Sequence, residues 1–88
     1  MSKITFTEKA WEEYQYWLSE NRKIMQKIAR LLKSIERDGP LHGEGQPERL
    51  RYSEDEFSRR IDSKNRLVYR LDGEHIVVES CLGHYEDK

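Results

Sequence analysis

Five aliphatic residues, Ile24, Ile28, Leu31, Leu32 and Ile35, recur at i, i+4, i+7, i+8 and i+11 in a stretch whose other positions are mostly charged or polar. That spacing lines up on one stripe of a helix and on no strand. A stripe of this kind cannot stay in water, so the rest of the chain must supply a surface that covers it. Asn21 is placed to cap the start of the helix, and Asp38-Gly39-Pro40 ends it.

The flanking segments supply that surface. Lys3 to Phe6 reads as a short opening strand, and Thr7 as the cap of a first helix that runs to about residue 19. Trp11, Tyr14 and Leu18 fall at helical spacing within that first helix. Residues 39–47, GPLHGEGQP, hold three of the five glycines and both prolines and form a loop. No Gly-Lys-Ser/Thr closes this loop and no strand precedes it, so it is not a phosphate-binding P-loop. Beyond Glu48 the period becomes strand-like. Arg49–Tyr52, Glu56–Ile61, Arg66–Leu71 and His75–Leu82 are the expected strands, with an Asp72-Gly73 hairpin signal and a tight connection at Asp62–Asn65. The predicted fold is a single α+β domain over 1–88. Two N-terminal helices pack on a mainly antiparallel sheet, in the order β-α-α-β-β-β-β.

Composition bounds the function. With 88 residues the core is small, and 35% hydrophobic against 38% charged residues is a lean ratio. The net charge of −1 and nine aromatics nonetheless favour a folded chain over a disordered one. No apolar run is long enough to span a membrane, and the N-terminus lacks the apolar core of a signal peptide, so a cytoplasmic location is the default expectation. The single Cys81 leaves no partner for an internal disulfide and reads as a buried small hydrophobe. Charge is uneven: residues 49–70 carry seven Lys/Arg against four Asp/Glu, a local +3. Such a patch suits phosphates, and composition reads it equally well as a solvated face.

His42, His75, His84 and Cys81 show no zinc-site spacing, and no metal or cofactor is expected. Cys81 and His84 are three apart on a strand and point to opposite faces, which rules against a nucleophile pair. The remaining chemistry-bearing residues are Glu48, Arg51, Arg59, Arg60, Arg66, His84 and Tyr85. Metal-free RNA cleavage needs a base for the 2′-hydroxyl, an acid for the leaving 5′-oxygen, cations on the phosphate and an aromatic beside the base. Those seven residues contain that set. Strand parity leaves one difficulty. A four-residue connection at Asp62–Asn65 would set Arg60 opposite Leu67 and leave Arg66 on the other face, whereas an odd-length loop or a bulge would unite the two arginines.

Taken together, AWEEYQYW (10–17), GEGQPERLR (43–51), FSRRID (57–62), NRLVYRLDG (65–73) and CLGHY (81–85) resemble the YoeB/Txe toxins of the RelE superfamily across nearly the whole chain. The resemblance implies a ribosome-dependent mRNA endoribonuclease, the toxic half of a type II toxin–antitoxin pair. It assigns Glu48 as general base, His84 as general acid and Arg66 as the cation on the transition-state phosphate, assisted by Arg60 and Arg51. Tyr85 would orient the substrate, and Arg59 joins the phosphate-binding candidates. Implied partners are an antitoxin of the YefM/Axe type with a partly disordered acidic segment, the ribosome with its mRNA, and operator DNA only through the antitoxin complex; a homodimer is also compatible. Two alternatives stay open: a non-catalytic relative of the ParE type that inhibits gyrase by binding it, and a degenerate toxin that only binds its antitoxin.

Overall fold

The computed structural model describes residues 3–83 and is built as two layers. The elements are β1 (Ile4–Phe6), α1 (Glu8–Glu20), α2 (Arg22–Asp38), β2 (Glu48–Arg49), β3 (Glu56–Arg60), β4 (Arg66–Asp72) and β5 (His75–Ser80). They form one five-stranded sheet in the order β1-β5-β4-β3-β2. The β1–β5 pair is parallel and every other pair antiparallel. The expected order and fold class therefore hold. Among the described residues no helix is long and apolar enough to cross a membrane.

The helix boundaries follow from their caps. The Thr7 hydroxyl accepts the Ala10 backbone N–H at 3.1 Å. Asn21 serves both helices: its backbone N–H donates to Trp17 O at the end of α1, while its side chain accepts from Lys23 N and Ile24 N at the start of α2. Gly39, at φ 90°, donates to Ile35 O and ends α2.

The stripe on α2 packs as its spacing predicts. Ile28, Leu31, Leu32 and Ile35 are buried against Phe57, Ile61, Leu67, Tyr69, Ile76 and Val78 on one face of the sheet. Burying each such side chain contributes about 1.5–3 kcal/mol. The inward line of α1 differs from expectation. Ala10, Tyr14 and Trp17 face the core, while Trp11 and Leu18 stand out of it. The Trp17 indole fixes this rotation by donating to Cys81 O at 2.8 Å. Trp11 instead meets Phe6 edge-on at 5.7 Å.

Strand β2 is only two residues long, shorter than the expected Arg49–Tyr52, because Leu50 N turns to Glu56 O and the chain reverses over 50–55. The β4–β5 turn centres on Gly73-Glu74, since Asp72 pairs with His75. Gly73 takes φ 63°, as the first position of a type II′ turn requires. In β5, Ser80 pairs with Val68 and Val78 with Tyr69, which leaves Glu79 as a bulge residue.

Candidate active site

Strand parity decides where the arginines go. The connection after β3 has five residues, 61–65, so Arg60 pairs directly with Arg66 and Ser58 with Val68. The odd-length case holds, and Arg60 and Arg66 share the face turned away from the helices. Glu48 pairs with Ser58 on the neighbouring strand and joins that face.

Three side chains meet there. Arg66 Nη2 lies 3.6 Å from Glu48 Oε1, and Arg66 Nε donates to Ser58 Oγ at 3.0 Å. Ser58 is fully buried beneath the guanidinium. The Arg66 side chain is 16% exposed and that of Glu48 65%, so an anchored cation stands beside a carboxylate open to solvent. Arg60 is exposed, and with Lys27, Gly45, Gln46 and Ile61 it lines an adjoining open pocket of about 320 Å³. Arg51 is exposed in the turn after β2. His84 and Tyr85 lie outside the described residues. Gly83, which precedes them, is bonded at both backbone groups: its O accepts the backbone N–H of Arg66 at 3.0 Å, and its N–H donates to Asn65 Oδ1 at 2.8 Å.

Arg59 corrects an expectation. It was a candidate for phosphate binding, but it shares the inward phase of Phe57 and Ile61 and is completely buried. All five of its N–H groups are used. Nε donates to the Tyr69 hydroxyl (2.9 Å), Nη1 to Ser34 Oγ (3.0 Å) and Glu44 O (2.7 Å), and Nη2 to Gly39 O and His42 O (2.7 Å each). The C-terminal end of α2 and the loop carbonyls solvate the buried charge. Asp38 adds a nearby anion; its carboxyl is held below the usual range by hydrogen bonds from Arg37 first, then Ser34, with Arg37 and Arg59 adding attraction.

This cation organises the loop that leads to Glu48. The Tyr69 hydroxyl donates to Pro40 O at 2.6 Å, and Ser34 Oγ accepts the Glu44 backbone N–H at 3.0 Å. Burial raises the Tyr69 phenol, with Arg59 opposing, so the hydroxyl remains a donor. Arg30 and Lys27 on α2 grip the Glu44 side chain at 2.8 and 3.6 Å, and hydrogen bonding to Arg30 lowers its carboxyl. Two glycines permit this packing. A Cβ at Gly43 would collide with Ser34 and Asp38, and one at Gly45 would stand 2.7 Å from Leu31 Cδ2; both also hold positive φ. Gln46, at φ 51°, carries a left-handed conformation two residues before Glu48.

Sequence reasoning missed Ser58, Asn65 and the inward role of Arg59. Parity contained a signal for the last: Phe57, Arg59 and Ile61 alternate with Ser58 and Arg60. Cys81 is buried as expected. Burial first, then the neighbouring Glu13 carboxylate, pushes its thiol up to about 12. Among the described residues no group of three or more His, Cys, Asp or Glu could hold a metal ion.

The profile described as "YoeB-like toxin of bacterial type II toxin-antitoxin system" matches residues 6–85. A toxin named YoeB from Streptomyces coelicolor is 40% identical over 84 residues, covering 94% of this chain and 99% of the relative. The YoeB dimer from Staphylococcus aureus superposes with a TM-score of 0.91 at 45% identity, covering 96% of this chain and 98% of that one. The YoeB chain of a YoeB–YefM complex from the same organism gives 0.86 at 46% identity, with 97% and 99% covered.

Proposed function

This chain belongs to the YoeB-like toxins of bacterial type II toxin–antitoxin systems, and from that membership we propose that it is a ribosome-dependent mRNA endoribonuclease working by general acid–base catalysis. The observation that carries the reading is the Glu48–Arg66 contact of 3.6 Å on an open face, with Gly83, the residue before His84, bonded to the Arg66 backbone.

In this reading Glu48 takes the 2′-hydroxyl proton as that oxygen attacks the adjacent phosphorus. His84 gives a proton to the departing 5′-oxygen. The products are a 2′,3′-cyclic phosphate and a 5′-hydroxyl, so protons and charge balance without a further reactant. Arg66 stabilises the charge that builds on the phosphorane oxygens, with Arg60 and Arg51 drawing in flanking phosphates. Tyr85 orients the nucleotide. Ser58 fixes the Arg66 guanidinium from beneath, so little reorganisation is needed when charge develops.

The same membership supports an antitoxin partner, as in the YoeB–YefM complex from Staphylococcus aureus, and a homodimer, as in the YoeB dimer from that organism; on this reading the antitoxin covers the arginine-bearing face with a flexible acidic segment.

Purified protein added to a translating extract should cut the message, seen by primer extension, and cutting should persist with EDTA-treated protein on preassembled ribosomes. His84→Ala should slow the cleavage step by about 10²–10⁴-fold with ribosome affinity and thermal stability nearly unchanged. Intact message together with inhibited gyrase supercoiling would overturn the proposal in favour of a binding toxin.

A further inference from the structure

Asn65 closes the five-residue connection between β3 and β4, and its side chain does more than shape that turn. It is buried, at 8% exposure, while its neighbours Ser63 and Lys64 are open to water. Both ends of its carboxamide are occupied. Nδ2 donates to both oxygens of Asp62, at 3.1 and 3.2 Å, and Oδ1 accepts Gly83 N at 2.8 Å.

Asp62 fixes which end points where. Burial raises its carboxyl, but the backbone N–H of Lys64 and the side-chain and backbone N–H groups of Asn65 outweigh that and lower it. The group is an anion, and an anion only accepts. The Asn65 amide must therefore turn its NH₂ to Asp62 and its oxygen to Gly83. Arg66 completes the clamp, since its backbone N–H donates to Gly83 O at 3.0 Å. Both the N–H and the C=O of Gly83 are thus held by consecutive residues, 65 and 66. Upstream, Cys81 is held from the opposite side: its N–H donates to Glu13 Oε1 at 2.8 Å and its carbonyl accepts the Trp17 indole.

We propose that Asn65 is a positioning residue for cleavage. Oriented by Asp62, it fixes the chain at Gly83, the residue that precedes His84 in sequence, beside Arg66. The inference rests on the reading of His84 as the acid. Consecutive Cα atoms are about 3.8 Å apart, so a displaced Gly83 displaces the residue after it. Misplacement of a catalytic group by about 1 Å costs on the order of 10²-fold in rate. Asn65 touches no reacting atom in this scheme and acts only through Gly83.

The test combines an activity measurement with one that needs no activity. Asn65→Ala should lower single-turnover cleavage by about 10–10²-fold at unchanged ribosome affinity, and should accelerate hydrogen exchange at the Gly83 amide. In a His84→Ala background it should cause no further loss, because both changes remove the same contribution. Asn65→Asp sets two carboxylates against each other and should be defective. Adding Asp62→Asn reverses the pair and should restore both cleavage and Gly83 protection, which shows that the loss was not general misfolding. Unchanged Gly83 exchange in Asn65→Ala, or losses that multiply with His84→Ala, would overturn the inference. A wild-type protein that cuts nothing, while Gly83 protection still depends on Asn65, would sink the nuclease reading and leave the clamp standing.

Discussion

Two adjacent arginines on one strand have opposite roles. Arg59 points inward and spends every donor on α2, the loop and the Tyr69 hydroxyl, whereas Arg60 is exposed on the outward face. Removing Arg59 strands the carbonyls of Gly39, His42 and Glu44 without partners, and each buried acceptor left unsatisfied costs about 1–3 kcal/mol. Relief from burying a charge offsets part of this. Arg59→Met should therefore destabilise the fold by about 3 kcal/mol in urea unfolding. Arg59→Lys should recover only a fraction, since an ammonium offers three donors in place of a five-pronged fork. Arg60→Met should lie within about 0.5 kcal/mol of wild type. Equal effects at the two positions would contradict the structure. The dipeptide Arg59-Arg60 does not state this division. Whether Arg60 faces Arg66 or Leu67 hangs on one residue of loop length, which the loop's composition does not set.

At the scale of elements, the sheet carries a second row of charge on its outward face. Glu56 pairs with Arg70 across β3 and β4, and the bulge brings Glu79 to within 3.3 Å of Arg70 Nε. Burial first, then hydrogen bonding and repulsion from Glu56, pushes the Glu79 carboxyl up to about 7, with Arg70 opposing. A carboxyl raised on folding is protonated in the native state where the unfolded chain is already ionised. Its contribution to stability is therefore full below the unfolded value near 4.5 and is lost as pH rises through about 7. Glu79→Gln should flatten this part of the stability profile and raise the melting temperature at pH 8. The gain should be on the order of 1 kcal/mol after solvent screening, and should vanish near pH 4. A variant less stable than wild type at pH 8 would show that the ionised pair with Arg70 dominates. Element boundaries were largely legible beforehand, because caps such as Thr7 and Asn21 and the stripe on α2 are local signals. The rotation of α1, the bulge at Glu79 and the shortness of β2 were not. The first two are set by partners further along the chain, Cys81 for Trp17 and Val68 and Tyr69 for the bulge, and the third by where the local turn closes, Leu50 N–H on Glu56 O.

Over the whole molecule, the candidate site draws on segments that lie far apart in the chain: Glu48 beyond the loop, Ser58 and Arg66 on the sheet, and Gly83 at the end of the described residues. They come together because β5 lies between β1 and β4, so that Cys81–Gly83 run between α1 and the β3–β4 connection. Residue types announced most of this set, and chain topology assembled it. The cation inside the loop also sets where the molecule yields to a protease. GPLHGEGQP reads as the softest surface segment in the chain, rich in glycine and proline and without regular structure. Yet four of its carbonyls, those of Gly39, Pro40, His42 and Glu44, are tied to Arg59 or Tyr69 from below. Cleavage needs a stretch of backbone to peel away from the body, and here that means breaking bonds to a buried charge. The turn over 50–55 closes on itself through short-range bonds, Leu50 N–H to Glu56 O at 2.9 Å and Ser53 N–H to Leu50 O at 3.3 Å, and it displays Tyr52 at 64% exposure. Brief digestion with a protease of low sequence preference should make its first internal cut between residues 50 and 56 and spare 39–47. In Arg59→Met the order should reverse, as the loop reverts to what its composition implies.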